Sequence, residues 1–348
     1  MSTDLADFTE QTALGLWKCP DSQLILPADA PRPEWLGMRK AGIGGSDAAA
    51  LMGDNHYDDG TPFFVWLDKT SDPDPDENEK RNNAMERGSM MEPIVRAKFE
   101  AKHPEIKTRR QGLHRSRKHP ILLASVDCLT DDGGGAEFKT ATSFSIKAWP
   151  EDWRDGVCPP LYAWQAKHYM LVTGRSHWYV VALIIDTWEL VVWVIERDEQ
   201  ELELLQVVET EFWATHVETG IAPDIDWDHY TNAEVNARFP EATEGVLKLR
   251  SDTEQGLQLR ELYTLRAALG AEKKEAEQEY DAVTDRMRMI AGPHEEVQLD
   301  GKKVFTLKNS STNKVTNAGI AAAFGEDAVE KCKVRSYGRR ISVSKNAI

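Results

Sequence analysis

The stretch that decides the fold is residues 121–140, ILLASVDCLTDDGGGAEFKT. Two runs rich in apolar residues flank three consecutive glycines, a pattern that predicts two β-strands joined by a tight turn. Asp127 ends the first apolar run, and Glu137 and Lys139 lie in the second. Side chains alternate along a strand, so Glu137 and Lys139 are expected on one face and Phe138 on the other. If the strands pair, two carboxylates and an ammonium group converge.

Two interpretations of this convergence are open from the stretch alone. A hard cation such as Mg²⁺ binds oxygen ligands, often one or two carboxylates together with a phosphate. A lysine beside them can stabilise negative charge on the phosphate or orient a water molecule. The alternative is a surface hairpin whose polar residues face water, because so short a pattern also arises by chance.

The composition predicts a water-soluble protein of two or three units. The chain has 348 residues, 41% of them hydrophobic, with a formal net charge of -16. Its longest apolar runs have the length of strands and fall short of the roughly 20 residues of a membrane helix. The acidic N-terminus does not resemble a signal peptide, so we expect a cytoplasmic protein without a membrane partner. The net negative charge argues against a protein that coats nucleic acid through its overall charge alone.

Positive charge is nevertheless concentrated in two segments. Residues 96–118 contain nine Lys or Arg and two Glu, and residues 331–348 contain six Lys or Arg and no acid. Each segment is either a solvated face or part of a track for a polyanion. The four cysteines have neither zinc-site nor disulfide-framework spacing.

The order of predicted elements indicates an α/β fold of the mixed α+β kind, with a central mixed β-sheet flanked by helices. Helices are predicted at about 82–102, 160–173 and 198–219, and residues 1–33 are expected to be an irregular lead-in. A second region follows a boundary near 225–250. Its long helix, at about 253–291, has an apolar stripe that we expect to be covered, and a β-hairpin turns at Asp300-Gly301.

Six segments, taken in order, resemble the lambda-exonuclease/YqaJ-type phage recombinase nucleases of the PD-(D/E)xK superfamily. The spacing D-x9-E-x-K of Asp127, Glu137 and Lys139 is the pattern of that superfamily. The resemblance spans about residues 34–213. The segments are EWLGMRKAGIGGSDAAALMG, RGSMMEPIVRAKFE, SVD, GAEFKT, YAWQAKHYMLVTG and the paired strands that end in VIERDE.

The resemblance implies roles for individual residues in a restriction-endonuclease-like core. Its catalytic lysine corresponds to Lys139, and its helix glutamine to Gln165, which could otherwise be an ordinary polar helix residue. Glu92, otherwise one more solvated helix charge, corresponds to the glutamate of a G-x3-E arrangement that begins at Gly88. The implied metal ligands are Glu92, Asp127, Glu137 and the carbonyl of Phe138.

Arg39 and Ser46 match the terminal-phosphate pocket of these nucleases. A serine N-cap after two glycines would also present free N–H groups and the positive end of a helix to an anion. The simpler alternative is a helix cap without a ligand. The chain departs from the family where it has Ser125-Val126-Asp127-Cys128 in place of S-P-D-G, which changes the bend after the strand.

The resemblance implies an Mg²⁺-dependent exonuclease that degrades double-stranded DNA ends 5′→3′ and leaves 3′ single-stranded overhangs for phage-type recombination. It implies two Mg²⁺ ions per site, with Mn²⁺ able to substitute. The implied partners are DNA ends, a single-strand annealing protein and further copies of the chain in a trimeric ring. The expected domains are a lead-in at 1–33, the exonuclease domain at 34–225 and an accessory region at 226–348.

Two other functional classes remain open at this point. One is a different PD-(D/E)xK nuclease, of the restriction or Cas4 type, although the cysteine cluster of iron–sulfur Cas4 proteins is missing from the sequence. The other is a non-catalytic protein that binds DNA ends or acts as a scaffold. For the accessory region we expect either a module that grips DNA through the basic tail or a structural cap.

Overall fold

The computed structural model describes residues 16–71, 83–144, 156–240, 245–308, 317–325, 327 and 329. The chain divides into two compact units, Met1–Arg238 and Phe239–Ile348. The strands of the first unit are β1 (Ser22–Leu26), β2 (Ile43–Gly44), β3 (Thr108–Arg110), β4 (Leu113–Ser116), β5 (Leu122–Ser125), β6 (Cys128–Thr130), β7 (Gly135–Ala141), β8 (His177–Ile184) and β9 (Glu189–Glu196). The helices are α1 (Arg32–Lys40), α2 (Gly45–Leu51), α3 (Pro62–Thr70), α4 (Asn83–Lys102), α5 (Pro160–Thr173), α6 (Glu199–Phe212) and α7 (Asn232–Arg238).

The predicted mixed α/β architecture is confirmed. Five strands form a sheet in the order β3-β6-β7-β8-β9. In this sheet β7 and β8 are parallel, whereas the other neighbouring pairs are antiparallel. The parallel pair is joined through α5, because parallel neighbours need a crossover connection. The central strand β7 is the strand that contains Glu137 and Lys139.

The strands do not all join one sheet, which differs from the prediction. A second sheet has the order β1-β4-β5-β2. The chain changes sheets at Val126 and Asp127, between the end of β5 and the start of β6. The carbonyl of Asp127 accepts a hydrogen bond from the N–H of Gln111 (3.2 Å), at the corresponding crossing between β3 and β4. Asp127 therefore lies at the junction of the two sheets.

The prediction of an irregular lead-in over residues 1–33 is wrong for residues 22–26. This segment is the edge strand β1, which pairs antiparallel with β4 in a register that matches Ser22 to Ser116. The pairing buries Ser22 and Leu26. A short strand of this kind gains its stability from its neighbour, so the local sequence gives little indication of it.

The helices agree closely with the expected positions. Helix α4 buries Val95 and Phe99 completely. Helix α5 ends at Gly174, whose φ of 74° suits glycine. The helix predicted over 198–219 is α6, which continues into a π-helical turn at Trp213–Val217. Within the described ranges, no helix is long and apolar enough to cross a membrane.

The second unit contains the predicted long helix and hairpin. Its elements are α8 (Glu254–Ala291), β10 (Glu296–Leu299), β11 (Lys302–Thr306) and α9 (Asn317–Phe324). The hydroxyl of Thr253 caps α8 by accepting from the N–H of Gly256. Asp300 and Gly301 both have positive φ, as expected for a two-residue hairpin turn.

The apolar stripe of α8, which we expect to be covered by the nuclease core, by the 297–348 unit or by another chain, is exposed among the described residues of this single chain, and its cover stays a prediction. The exposed fraction of its side chains is 38% at Met287 and 79% at Ile290. The exposed fractions of Leu262, Leu265 and Leu269 fall between these two values. The helix is stabilised locally, by its N-cap and by many residues with high helix propensity. The basic tail at 331–348 lies outside the described residues.

Candidate active site

Strand β7 presents its polar and apolar side chains on opposite faces, as predicted. Phe138 is buried and packs against Phe99 of α4, with ring centroids 6.2 Å apart. Glu137 and Lys139 lie on the other face, where the ammonium of Lys139 contacts Oε1 of Glu137 at 2.7 Å. The buried aromatic pair fixes the strand orientation, and this orientation determines where the carboxylate and the ammonium point.

Asp127 reaches β7 through a hydrogen bond to the backbone. Its Oδ2 accepts from the N–H of Phe138 at 3.0 Å. Strand β6, which begins at the next residue, pairs antiparallel with β7 across the glycine turn. The predicted convergence of Asp127 with Glu137 and Lys139 is thus present. Burial raises the pKa of Asp127 well above its ordinary range, and the nearby charges of Glu137 and Glu92 raise this pKa further.

Gln165 of α5 connects the two polar residues of β7. Its Nε2 donates to Glu137 Oε1 (2.9 Å), and its Oε1 accepts from Lys139 Nζ (2.9 Å). The same Nε2 also donates to the hydroxyl of Tyr169, one helical turn further along α5 (2.7 Å). A single amide therefore satisfies a carboxylate and an ammonium group at once, which holds both side chains in fixed positions.

Lys139 is held as a cation. Burial acts to lower the pKa of Lys139, but the Glu137 carboxylate raises it above its ordinary value. The ammonium group also lies over the ring of Tyr162, 5.1 Å from its centroid. A charged lysine beside two carboxylates can bind an anion only if those carboxylates are themselves neutralised, as by bound cations.

Glu92 lies near this group on the half-buried side of α4. Burial raises the pKa of Glu92 and the charge of Glu137 raises it further, whereas Arg110 opposes the shift. The charge of Glu92 also raises the pKa of Asp127, so the two carboxyl groups interact electrostatically. The assignment of Glu92 as a metal ligand stays a prediction.

Arg39 and Ser46 are brought together as predicted, but Ser46 is not the helix cap. The guanidinium of Arg39 donates to the hydroxyl of Ser46 at 2.8 Å. Helix α2 begins two residues earlier than expected, with Gly44 as its N-cap. Asp47 satisfies the helix end instead, because its Oδ2 accepts from the N–H of Gly44 at 2.9 Å. The hydroxyl of Ser46 is consequently available to Arg39.

A cleft of about 200 Å³ joins the two groups of predicted site residues. Arg39 and Ser46 lie along one part of it, and Asp127, Glu137 and Gln165 along another. The wider lining, with these five included, consists of Trp35, Arg39, Gly44, Gly45, Ser46, Leu113, Leu123, Ser125, Asp127, Glu137, Gln165 and Tyr169. The cleft is thus bounded by α1, α2 and α5 and by residues of β2, β4, β5 and β7.

Trp35 and Ser125 line the cleft although the sequence did not single out their roles. The indole N–H of Trp35 donates to the hydroxyl of Ser125 at 3.1 Å. Trp35 precedes Arg39 by four residues, a spacing that places both side chains on one face of a helix. Ser125 precedes Asp127 by two residues. Both residues also lie in segments that carry the family resemblance, Trp35 in EWLGMRKAGIGGSDAAALMG and Ser125 in SVD.

The polar residues of the cleft are compatible with a bound divalent cation. Oε2 of Glu137 is buried without a hydrogen-bond partner, which is costly unless a ligand satisfies it. The N–H of Phe138 points toward Asp127, and in a strand the carbonyl of the same residue points to the same side. Across the described ranges, however, no three His, Cys, Asp or Glu side chains are already gathered closely enough to hold a metal ion.

Two buried charge pairs involve residues of α2 and α5, two of the helices that line the cleft. The ammonium of Lys69 contacts Asp47 at 2.9 Å; burial acts to raise the pKa of Asp47, but Lys69 and Arg39 hold it below its ordinary value. His168 of α5 contacts Glu209 of α6 at 2.7 Å and the carbonyl of Leu123 in β5 at 2.9 Å. Burial acts to lower the pKa of His168, but the Glu209 carboxylate and the hydrogen bonds at both ring nitrogens raise it above its ordinary value, which favours the imidazolium form.

The structure combines a mixed α/β fold with the D-x9-E-x-K residues Asp127, Glu137 and Lys139, the last two on β7 and the first next to it. Residues 34–176 match the family described as the YqaJ-like viral recombinase domain. This match confirms the resemblance seen in the sequence.

One known relative is similar to this chain over part of its length. Over 216 residues the chain is 31% identical to the uncharacterized protein YqaJ of Bacillus subtilis (strain 168), covering 62% of this chain and 65% of that protein. The chain therefore spans slightly less than two thirds of this relative.

Solved structures with a similar arrangement include an alkaline exonuclease from Laribacter hongkongensis and a phage-related exonuclease from Haemophilus somnus 129PT. The first has 22% identity and a TM-score of 0.45, and covers 54% of this chain and 94% of that chain. The second has 11% identity and a TM-score of 0.37, and covers 53% of this chain and 99% of that chain.

Proposed function

We propose that this protein is a metal-dependent deoxyribonuclease that degrades double-stranded DNA from its ends. The observation that carries the proposal is the shared cleft, in which Arg39 and Ser46 lie beside Asp127 and Glu137. A nuclease that begins at an end needs a position for the terminal phosphate and, next to it, the group that cleaves the following bond. The cleft offers both kinds of residue within about 200 Å³.

The carboxylates would hold the cation. Asp127 and Glu137 are the principal ligands in this proposal, with the carbonyl of Phe138 and the carboxylate of Glu92 completing the set. Oxygen ligands of this kind favour Mg²⁺, and Mn²⁺ is expected to substitute. Bound Mg²⁺ neutralises charge on a phosphate and lowers the pKa of a water molecule. Two ions per site follow from the resemblance.

Lys139 and Gln165 act on the reacting groups and on their positions. The Lys139 ammonium donates hydrogen bonds and can hold a water molecule in line with the scissile phosphorus or stabilise charge on its oxygens. Gln165 keeps Lys139 and Glu137 at a fixed separation through two 2.9 Å hydrogen bonds. Such positioning reduces the entropic cost of reaching the transition state.

The terminal phosphate would bind between Arg39 and Ser46. A guanidinium group binds phosphate through charge-assisted hydrogen bonds, often two in parallel. The side chain of Arg39 is 35% exposed, so part of its guanidinium remains open to a ligand. A pocket for a 5′-phosphate would set a 5′→3′ direction and leave a 3′ single strand. A single-strand annealing protein and a ring of identical chains are the partners that we propose from the family resemblance.

Substitution of the metal ligands tests the nuclease proposal. Asp127→Ala and Glu137→Ala should each abolish Mg²⁺-dependent DNA cleavage, because each variant loses a ligand, while circular dichroism remains unchanged. Glu189→Gln is the control, since Glu189 is an exposed carboxylate on β9, which is separated from β7 by β8. Cleavage by either alanine variant at the native rate would reject the site. A native protein that binds DNA ends without cleaving them would favour the scaffold alternative.

A further inference from the structure

A groove of about 790 Å³ lies beside β1 and β4, outside the candidate active site. Its lining includes the cationic side chains Lys18, Arg109 and Arg117 and the indole of Trp17. The remaining lining residues are polar or apolar, and none of the described residues that line the groove has a carboxylate. This local excess of positive charge contrasts with the formal net charge of -16, and it favours a ligand with negative charge.

The groove and the active-site cleft lie on opposite faces of the four-stranded sheet. In β4, Leu113 lines the cleft and His114 lines the groove, and neighbouring residues of a strand face opposite sides. Leu24, which pairs with His114 between β1 and β4, also lines the groove. Among the described residues, none lines both cavities. A ligand in the groove is therefore separate from a ligand in the cleft.

The cationic side chains of the groove have no carboxylate partner. Lys18, Arg109 and Arg117 are exposed, and in the part of the chain that the structure describes none of them forms an ion pair. By contrast, Arg96, which belongs to the same basic segment as the two arginines, contacts Glu100 at 3.1 Å. The basic segment thus contains cations that stabilise the fold and cations that remain available to a ligand.

Trp17 is held in place on one side and lines the groove on the other. It packs against the main hydrophobic core. The buried guanidinium of Arg175 donates to the carbonyls of Leu16 (2.7 Å) and Lys18 (3.1 Å), the residues before and after Trp17. A restrained indole offers a face on which a nucleic-acid base can stack.

The buried part of the groove supplies uncharged hydrogen-bonding groups. Burial lowers the pKa of His114 to about 4, so its ring is neutral at neutral pH. Its Nδ1 lies 3.1 Å from the hydroxyl of Ser22, and its Nε2 lies 3.3 Å from Oε1 of Gln111. When Nε2–H donates to that oxygen, the amide N–H groups of Gln111 remain donors for a base or a phosphate.

We propose that this groove is a second nucleic-acid site, which binds single-stranded DNA away from the active-site cleft. Proteins that bind single strands combine a cationic groove along the backbone with aromatic side chains that stack on bases. Lys18, Arg109 and Arg117 provide the cations, and Trp17 provides the aromatic face. A duplex keeps its bases stacked on each other and offers no free base to Trp17. The choice of DNA over RNA rests on the proposed function, whose product carries a 3′ single strand.

The test measures the binding of a labelled oligo-dT of about 16 nucleotides by fluorescence anisotropy in EDTA, where cleavage does not contribute. Arg109→Gln and Arg117→Gln should each weaken binding about fivefold. Each should also lower the slope of log affinity against log salt concentration by about 0.7, since one phosphate contact is lost. Arg87→Gln is the matched control, because Arg87 is an exposed arginine that does not line the groove. Its affinity and salt slope should equal those of the native protein.

Trp17→Leu separates stacking from charge. It should weaken the binding of oligo-dT about tenfold and leave the salt slope unchanged. On an abasic oligonucleotide of the same length, Trp17→Leu should bind like the native protein, whereas Arg117→Gln should still bind more weakly. Trp227→Leu is the control, since Trp227 is an exposed tryptophan outside the groove, and it should bind oligo-dT like the native protein.

Three results would overturn the inference. One is native affinity for oligo-dT in both arginine variants. Another is an equal loss of binding to a blunt duplex in these variants, which indicates a surface for any polyanion. The third is tighter binding of oligo-U than of oligo-dT by the native protein, which rejects DNA as the ligand.

If Trp17→Leu does not fold, the native protein decides, because equal affinity for oligo-dT and for the abasic strand would reject stacking. Failure of the nuclease proposal is distinguishable from failure of this site. It would appear as absent cleavage by the native protein with Mg²⁺, whereas binding to the groove is measured without a metal ion.

Discussion

In the proposed function, Arg39 is the residue on which the selection of a DNA end depends most directly. The native protein should degrade 5′-phosphorylated duplex faster than 5′-hydroxyl duplex, and Arg39→Ala should reduce this difference at least tenfold. The reason is that a hydrogen bond to a charged group contributes about 1.5–3 kcal/mol. Initial rates on both substrates, with Mg²⁺ present, provide the measurement.

Arg32→Ala is the control for the Arg39 experiment. Arg32 lies on the same helix with its guanidinium 6.0 Å from the Trp35 centroid, but it does not line the cleft. Arg32→Ala changes the net charge by the same amount as Arg39→Ala. It should preserve the difference in degradation rate between the two duplexes. Equal rates of the native protein on the two substrates would reject the phosphate pocket.

The sequence predicted the polar residues of β7 well because strand periodicity determines their geometry. Once Phe138 is buried, Glu137 and Lys139 must face the other way. The role of Ser46 was predicted less well. Serine is a good N-cap by propensity, but Asp47 can also satisfy the N–H of Gly44 and is favoured by its buried contact with Lys69. That lysine is 22 residues away, so no local pattern could indicate it.

At the scale of elements, the contact of α2 with α5 determines where Gln165 lies. Gly45 begins α2, and a Cβ atom there would lie 2.6 Å from the Tyr169 ring and 3.1 Å from Cγ of Gln165. Gly45→Ala should therefore displace the amide that holds Glu137 and Lys139. We expect cleavage to slow at least tenfold, since small displacements of positioning groups have large effects on rate.

The matched control is Gly37→Ala in α1, where an added Cβ would meet nothing within 4 Å. Alanine is favoured over glycine inside a helix, so this variant should be more stable by about 0.5–1 kcal/mol and retain its activity. Steady-state rates and thermal unfolding measure both effects. Native activity in a folded Gly45→Ala protein would contradict the proposed role of the α2–α5 contact.

The pair of His168 and Glu209 should make stability depend on pH. Both side chains are fully buried, and Asp47 is the further charge that acts on them. Because the folded-state pKa of His168 is raised above 6.5, its contribution is complete below about pH 6.5 and is lost as the pH rises through the raised value. His168→Gln should lower the free energy of unfolding by about 3 kcal/mol at pH 6.

Urea unfolding at pH 6 and pH 9 measures this difference, which should be smaller at pH 9. His103→Gln is the control, because His103 forms a more exposed pair with Glu105 at 3.3 Å, and it should change stability by less than about 1 kcal/mol at either pH. A His168→Gln effect that grows with pH would contradict the imidazolium assignment.

Secondary-structure elements that are determined by their local sequence were predicted correctly. Elements that form only through contacts with distant residues were not predicted. Helix α5 ends at Gly174 because glycine suits the left-handed conformation there. Strand β1 exists because β4 pairs with it. The division of the strands into two sheets depends on the change of direction at Val126 and Asp127, which follows from hydrogen bonds to the crossing strand at Gly112 and Gln111.

At the scale of the whole molecule, the accessory region from residue 226 onward is proposed to strengthen DNA binding. A truncation near residue 250 would remove the six tail cations. DNA affinity should then fall and its dependence on salt should flatten, because fewer phosphate contacts release fewer counterions. Slow metal-dependent cleavage should survive, since the cleft residues all precede residue 170. Affinity is measured over a range of salt concentrations.

A full-length variant with the six tail cations replaced by Gln controls for loss of the helix and hairpin. The six positions are Lys331, Lys333, Arg335, Arg339, Arg340 and Lys345. If charge is responsible, this variant should reproduce the lower affinity and the flatter salt dependence. An unchanged affinity and salt slope in both proteins would favour a structural cap.

The central claim is that metal-dependent hydrolysis of DNA ends occurs at Asp127, Glu137 and Lys139. The most direct test is a gel assay on blunt 5′-phosphorylated duplex labelled at either the 5′ or the 3′ end, with Mg²⁺ or with EDTA. With Mg²⁺, we predict early release of the 5′ label and progressive shortening of the 3′-labelled strand. EDTA and Asp127→Ala should leave both strands intact. Cleavage that persists in EDTA or in Asp127→Ala, or no cleavage by the native protein with Mg²⁺, would contradict the claim.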